Sequence, residues 1–159
     1  MRNLGKYDYI FVDIDGTIIY GFYQQIMHHT WNWFRNDVIS SFLMWLQEKC
    51  RFYKVNHKLL YQLIMADAWY GSKIVFLTVR APHSSTMKML KDIMQGIEFE
   101  LVEQGSDFGY ITKSNYIKIF KEAGHKCILI DDDYNNRIIA DDYGIDVLDP
   151  VGMYEKKVG

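Results

Sequence analysis

Only two prolines and two cysteines occur in 159 residues. Two thiols cannot build the multi-disulfide framework of a small secreted domain, and no C-x-x-C spacing suggests a cysteine-held metal. The expectation is two buried thiols in a reducing compartment, with Cys50 ending a helix and Cys127 inside a core strand. No apolar run approaches the roughly 20 residues that a membrane-spanning helix needs. The opening MRNLGKYDYI lacks the apolar stretch of a signal peptide, because the first apolar run begins at Tyr9 and stops at Asp13. A cytoplasmic protein is therefore expected. An excess of one charge is also missing: the net charge is −2, which leaves no global basic field to draw in nucleic acid, although a local basic groove is compatible with it. Internal repeats and low-complexity segments are absent.

What the chain does have is apolar and aromatic content, 49% and 16% of residues, enough for one domain with a real core. Tyr9–Val12 is a short β-branched and aromatic run that reads as a buried strand, followed by a turn at Asp15-Gly16-Thr17. Residues 22–54 hold Trp31, Trp33, Phe34, Phe42, Trp45, Phe52 and Tyr53 without a proline, and Val38, Phe42, Trp45 and Leu46 recur at helical spacing. Asn36 or Asp37 is placed to cap that helix. A second helix is predicted over 58–70, closed by Gly71. Lys73–Leu77 is a strand ending at Thr78. Ser84 and Ser85 then start a helix whose apolar face is Met87, Leu90, Ile93 and Met94. Ile97–Val102 is a third strand. Thr112 is positioned to cap a helix over 113–123, Cys127–Ile130 is a fourth strand, a helix follows over 134–143, and Val147-Leu148 forms an edge strand.

Strands alternating with helices through right-handed crossovers give a parallel sheet with helices on both faces, where ligands bind beyond the carboxyl ends of the strands. The polar clusters sit at those ends. Asp13 and Asp15 lie two apart directly after a buried strand. Such a pair is costly unless catalysis or a metal uses it: one carboxylate can be a nucleophile, the other a general acid and base. Gly16 allows a sharp turn beside a phosphate. Lys113, at the start of a helix, is favoured over Lys118, which with Lys121 reads as a solvated face, as the cation that can neutralise phosphoryl oxygens and a carboxylate, and a helix N-terminus adds N–H contacts. Asp131-Asp132-Asp133 closes the fourth strand.

Phe11-Val-Asp-Ile-Asp-Gly-Thr17 resembles the first motif of the haloacid dehalogenase (HAD) superfamily. Thr78, Lys113 and Asp131-Asp132 follow in the order of the remaining motifs, over about 7–150. The resemblance implies a three-layer Rossmann-like parallel sheet in a single domain, 1–159, with a small helical cap insertion at 20–55. It implies a Mg²⁺-dependent phosphomonoester hydrolase that works through an aspartyl-phosphate. Asp13 would be the nucleophile and Asp15 the acid and base. Thr78, Lys113 and Arg80, which matches an arginine of some members, would bind the phosphoryl group. Mg²⁺ would be held by Asp13, the Asp15 carbonyl, and Asp132 or Asp131. Three acids in a row leave that register open, with Asn136 as a supporting partner.

The cap sets the substrate in this family. The rings of 22–54 either stack on a nucleobase or simply pack the cap onto the core. A small cap leaves the site open, which suits phosphorylated ends of macromolecules. The last third also resembles the polynucleotide 3′-phosphatase branch, and nucleotidases are an equally natural relative. A nucleotide or nucleic-acid phosphate monoester is the expected substrate; a sugar or other small-metabolite phosphate is the alternative. A phosphotransferase would read the same way, since only the acceptor differs. A non-catalytic binding module is disfavoured by the intact Asp13, Asp15, Lys113 and Asp132.

Overall fold

A computed structural model describes residues 3–21, 37–78, 84–103 and 113–151. Five parallel strands form the central sheet: β1 (Tyr9–Val12), β4 (Lys73–Thr78), β5 (Phe99–Glu103), β6 (Cys127–Ile130) and β7 (Asp146–Leu148). Their spatial order is β5-β4-β1-β6-β7. β1 lies at the centre, with Val12 in register with Phe76 on one side and Ile130 on the other. Strands covered on both faces read as unbroken apolar runs rather than alternating ones, as YIFV and CILI do.

Helices cover both faces. The helices α2 (His57–Tyr70) and α3 (Ser84–Met94) pack Leu59, Leu63, Leu90 and Met94 against Ile10, Val12, Ile74 and Phe76. On the other face, α4 (Lys113–Glu122) and α5 (Tyr134–Asp142) set Ile117 and Ala140 against Phe11, Val75, Leu77 and Leu129. Each such side chain taken fully out of water contributes about 1.5–3 kcal/mol, which makes the sheet a stiff base for whatever its strand ends carry. This is a Rossmann-like α/β architecture. No helix among the described residues is long and apolar enough to cross a membrane.

The insertion departs from an all-helical reading. It holds α1 (Asp37–Lys49), but its two ends are strands, β2 (Ile19–Gly21) and β3 (Tyr53–Val55), paired antiparallel with Tyr20 opposite Lys54. Three-residue strands are too short to show a period of two, so no pattern announces them. Trp31, Trp33, Phe34 and Asn36 lie outside the described residues, as do Arg80 and Thr112.

Smaller differences have local causes. Cys50 is exposed rather than buried, because α1 ends at Lys49 and Cys50 enters a turn that Arg51 continues at φ 54°. Cys127 is buried as expected, and burial pushes its thiol up to about 11. Met89 is buried on α3, whereas Met87 is only half-buried. β5 starts at Phe99, not Ile97, since Gln95 and Gly96 take positive φ in the preceding turn.

Candidate active site

The row after Val12 and Ile130 brings Asp13 and Asp131 to the carboxyl ends of adjacent strands β1 and β6. Lys113, first residue of α4, reaches across from the neighbouring helix. Its ammonium donates to Asp13 Oδ1 and, at 2.8 Å, to Asp131 Oδ2. All three side chains are buried. Residues far apart in sequence are thus joined in an interior where a lone charge would be strongly unfavourable.

Hydrogen bonds fix the rest. Asp131 Oδ2 also accepts from Asn136 Nδ2 at 3.1 Å, and Asp131 Oδ1 accepts from the backbone N–H of Asp133 at 2.8 Å. Arg137 donates to the Asp131 carbonyl at 2.6 Å and to Asp149 at 3.0 Å, which clamps the end of β6. Asp133 itself turns away: its carboxylate caps α5, accepting from the N–H groups of Asn135 and Asn136. Asp133 is thereby engaged with the helix N-terminus. Asp13, Asp131 and Asp132 have carboxylate oxygens within 4.8 Å of one another.

The turn after Asp13 is tied to that cluster. Thr17, fully buried, accepts at Oγ1 from the Asp132 N–H at 3.1 Å. Its carbonyl accepts from Asn56 Nδ2 at 3.2 Å, and Asn56 also caps α2 through Leu59 N–H. Gly16 has φ 78°, and a Cβ there would run into the Asp132 carboxylate. Glycine at this position therefore lets the turn and the acid approach each other, as well as letting the chain reverse.

One ammonium serves two buried carboxylates, and a third stands beside them. Burial pushes the Asp13 carboxyl up to about 8; Lys113 opposes the rise, and Asp131 and Asp15 add to it. Burial, reinforced by Asp131, lifts Asp132 to about 6. Burial works against the Lys113 ammonium, but Asp13 and Asp131 outweigh it and hold its pKa above the ordinary lysine value. Among the described residues, the Lys113 ammonium is the one cationic group bonded to these carboxylates. Three carboxylates that can converge on one point suit a hard cation with oxygen ligands.

Of the expected residues, Asp13, Lys113, Asp131 and Asp132 are brought together. Asp15 is half-buried and bridges to Ile19 through its backbone. Thr78 ends β4, the strand beside β1, and is buried. Arg80 lies outside the described residues. Asn136 supports Asp131 rather than Asp132. Thr17 lies in the turn motif, but its bond to Asp132 had no signal in the sequence, whereas Asn56 and Asp133, each directly before a helix, show an N-cap pattern that could have identified them. No family model matches the chain, and no curated protein and no solved structure matches it.

Proposed function

We propose that the protein is a Mg²⁺-dependent phosphomonoester hydrolase of the HAD type, with Asp13 as the nucleophile. The observation that carries this reading is the Lys113 ammonium shared between buried Asp13 and Asp131, with Asp132 beside them, at the carboxyl end of the sheet. A purely structural ion pair would not need the third carboxylate.

Asp13, Asp131 and Asp132 would hold the Mg²⁺, with the Asp15 carbonyl as the further ligand that the resemblance implies. Bound there, the ion would supply charge neutralisation for the phosphoryl oxygens and for the carboxylates themselves. An Asp13 oxygen attacks phosphorus in line; the bond to the leaving oxygen breaks as the aspartyl-phosphate forms. Asp15 gives its proton to that leaving oxygen. It then takes a proton from water, whose oxygen attacks phosphorus, releases phosphate and restores Asp13. Lys113 stabilises charge on the transferring group, and Thr78 donates its hydroxyl to a phosphoryl oxygen. Most of the rate enhancement in such transfers comes from positioning and electrostatics, which buried and hydrogen-bonded groups provide.

The substrate favoured is a nucleotide or nucleic-acid monoester, on the aromatic content of 22–54. The test is phosphate release with Mg²⁺ from p-nitrophenyl phosphate, 5′- and 3′-nucleotides, sugar phosphates and 3′-phosphorylated oligonucleotides, for the wild type and Asp13→Asn. Release that needs both Mg²⁺ and Asp13 is the expected result. Equal release by Asp13→Asn would remove Asp13 from the chemistry.

A further inference from the structure

A cavity of about 340 Å³ opens between α1, β3 and α3. Its lining combines two aromatic rings, Trp45 and Tyr53, with three cations, Lys49, Arg51 and Lys88. The charges are not all internally spent. Arg51 pairs with Asp92 at 3.3 Å. Glu48 accepts from the hydroxyls of Ser85 and Thr86, so that carboxylate joins α1 to the first turn of α3. Lys49 and Lys88 have no carboxylate partner among the described residues; Lys49 stands 5.3 Å from the centre of the Trp45 ring. The Trp45 ring also has Phe42 stacked beside it at 5.9 Å, and Phe42 is exposed.

We propose that this groove binds a nucleotide unit, a flat base stacked on Trp45 or Tyr53 with its phosphate at Lys49 and Lys88. The inference rests on the hydrolase reading for what lies at the other end of the ligand. α3 begins at Ser84, following in the chain on β4, which ends at Thr78 and pairs with β1. Rings from two different elements in one cavity with cations match bases and phosphates of a nucleotide. An acidic peptide would satisfy the lysines and leave the rings uncovered. The chain's overall charge of −2 does not oppose this, because the attraction is local.

The test is fluorescence anisotropy of a labelled ten-residue oligothymidylate without a terminal phosphate, on the wild type, Trp45→Ala, Trp45→Phe and Lys88→Glu. Circular dichroism checks the fold of each. Lys88 is exposed, so its variant keeps the binding test open even if Trp45→Ala misfolds. Binding should weaken about tenfold or more in Trp45→Ala, recover in Trp45→Phe, and lose salt dependence in Lys88→Glu by about 0.7 in the log–log slope. Competition by AMP would identify a single nucleotide as the ligand, and its failure to compete a strand; either fits the same chemistry. Hydrolysis of p-nitrophenyl phosphate by the wild type is measured in parallel. If the wild type hydrolyses that ester but does not bind the oligonucleotide, or Trp45→Ala and Lys88→Glu both bind it as the wild type does, the groove proposal falls and the hydrolase stands. Binding without hydrolysis has the opposite meaning. A phosphotyrosine peptide that binds more tightly than the oligonucleotide overturns the proposal in favour of a protein partner.

Discussion

Asn136 donates its side-chain amide to Asp131 Oδ2 at 3.1 Å, the same oxygen that receives the Lys113 ammonium. Asp131 is thus held from two helices, α5 and α4, and its other oxygen is held by the Asp133 N–H. With three of its roughly four acceptor positions taken, this carboxylate keeps one free position, on Oδ1. Asn136→Ala should weaken Mg²⁺ affinity about 10–100-fold while costing only about 1 kcal/mol of stability. Mg²⁺ titration of activity and of calorimetric heat checks this, and an unchanged affinity would assign Asn136 to the fold alone.

Lys113→Met removes the ammonium from between two buried carboxylates. The loss expected without Mg²⁺ is about 3–5 kcal/mol, with a fall of about 10²–10³ in turnover when Mg²⁺ is present. Urea denaturation with chelator and with Mg²⁺ separates the two effects. A variant as stable as the wild type in chelator would show that Asp13 and Asp131 do not need this countercharge.

The metal-free protein should lose stability as pH rises from about 4 to about 8. Asp13 ionises near 3.8 when unfolded but near 8 when folded, so the folded state holds the extra proton throughout that window. Asp132, lifted to about 6, adds to the slope in the lower part. Above the folded value both states are ionised and the loss is complete. Saturating Mg²⁺ should flatten the slope, because a cation favours the ionised carboxylates. Melting temperatures of wild type and Asp13→Asn in chelator across this range measure the difference. The Asp13→Asn curve should lack the wild type's extra fall, and parallel curves would contradict the assignment.

Gly16→Ala places a methyl group against the Asp132 carboxylate at a φ that alanine disfavours. The expected cost is about 1–3 kcal/mol, together with weaker Mg²⁺ binding as Asp132 is displaced. Thermal unfolding and metal titration test both. Unaltered metal affinity would mean that Asp132 can move away without consequence.

The sheet and much of the cluster were legible because each depends on local pattern. YIFV, KIVFLT and CILI are buried on both faces and so stand out as continuous apolar runs that stop at a polar residue. Asp13 and Lys113 follow from where those runs and the helix start fall. The register of Asp131, Asp132 and Asp133 was not legible, since three identical residues differ only in what surrounds them. What sets Asp133 apart in the structure is the cap it makes on α5. β2 and β3 were hidden because each is three residues long and finds its partner across the whole insertion. Glu48 was hidden for a similar reason: its acceptor role for Ser85 and Thr86 exists only once α1 docks on α3.

In the proposed reaction Asp13 carries the phosphoryl group during turnover. The direct measurement is peptide mass spectrometry after acid quenching of the enzyme with Mg²⁺ and a rapidly cleaved phosphate ester. One added phosphoryl group should appear on the peptide containing Asp13, and none on that peptide from Asp13→Asn, whose turnover should fall about a thousandfold or more. Rapid turnover with the label on another residue, or turnover preserved in Asp13→Asn, would contradict the account.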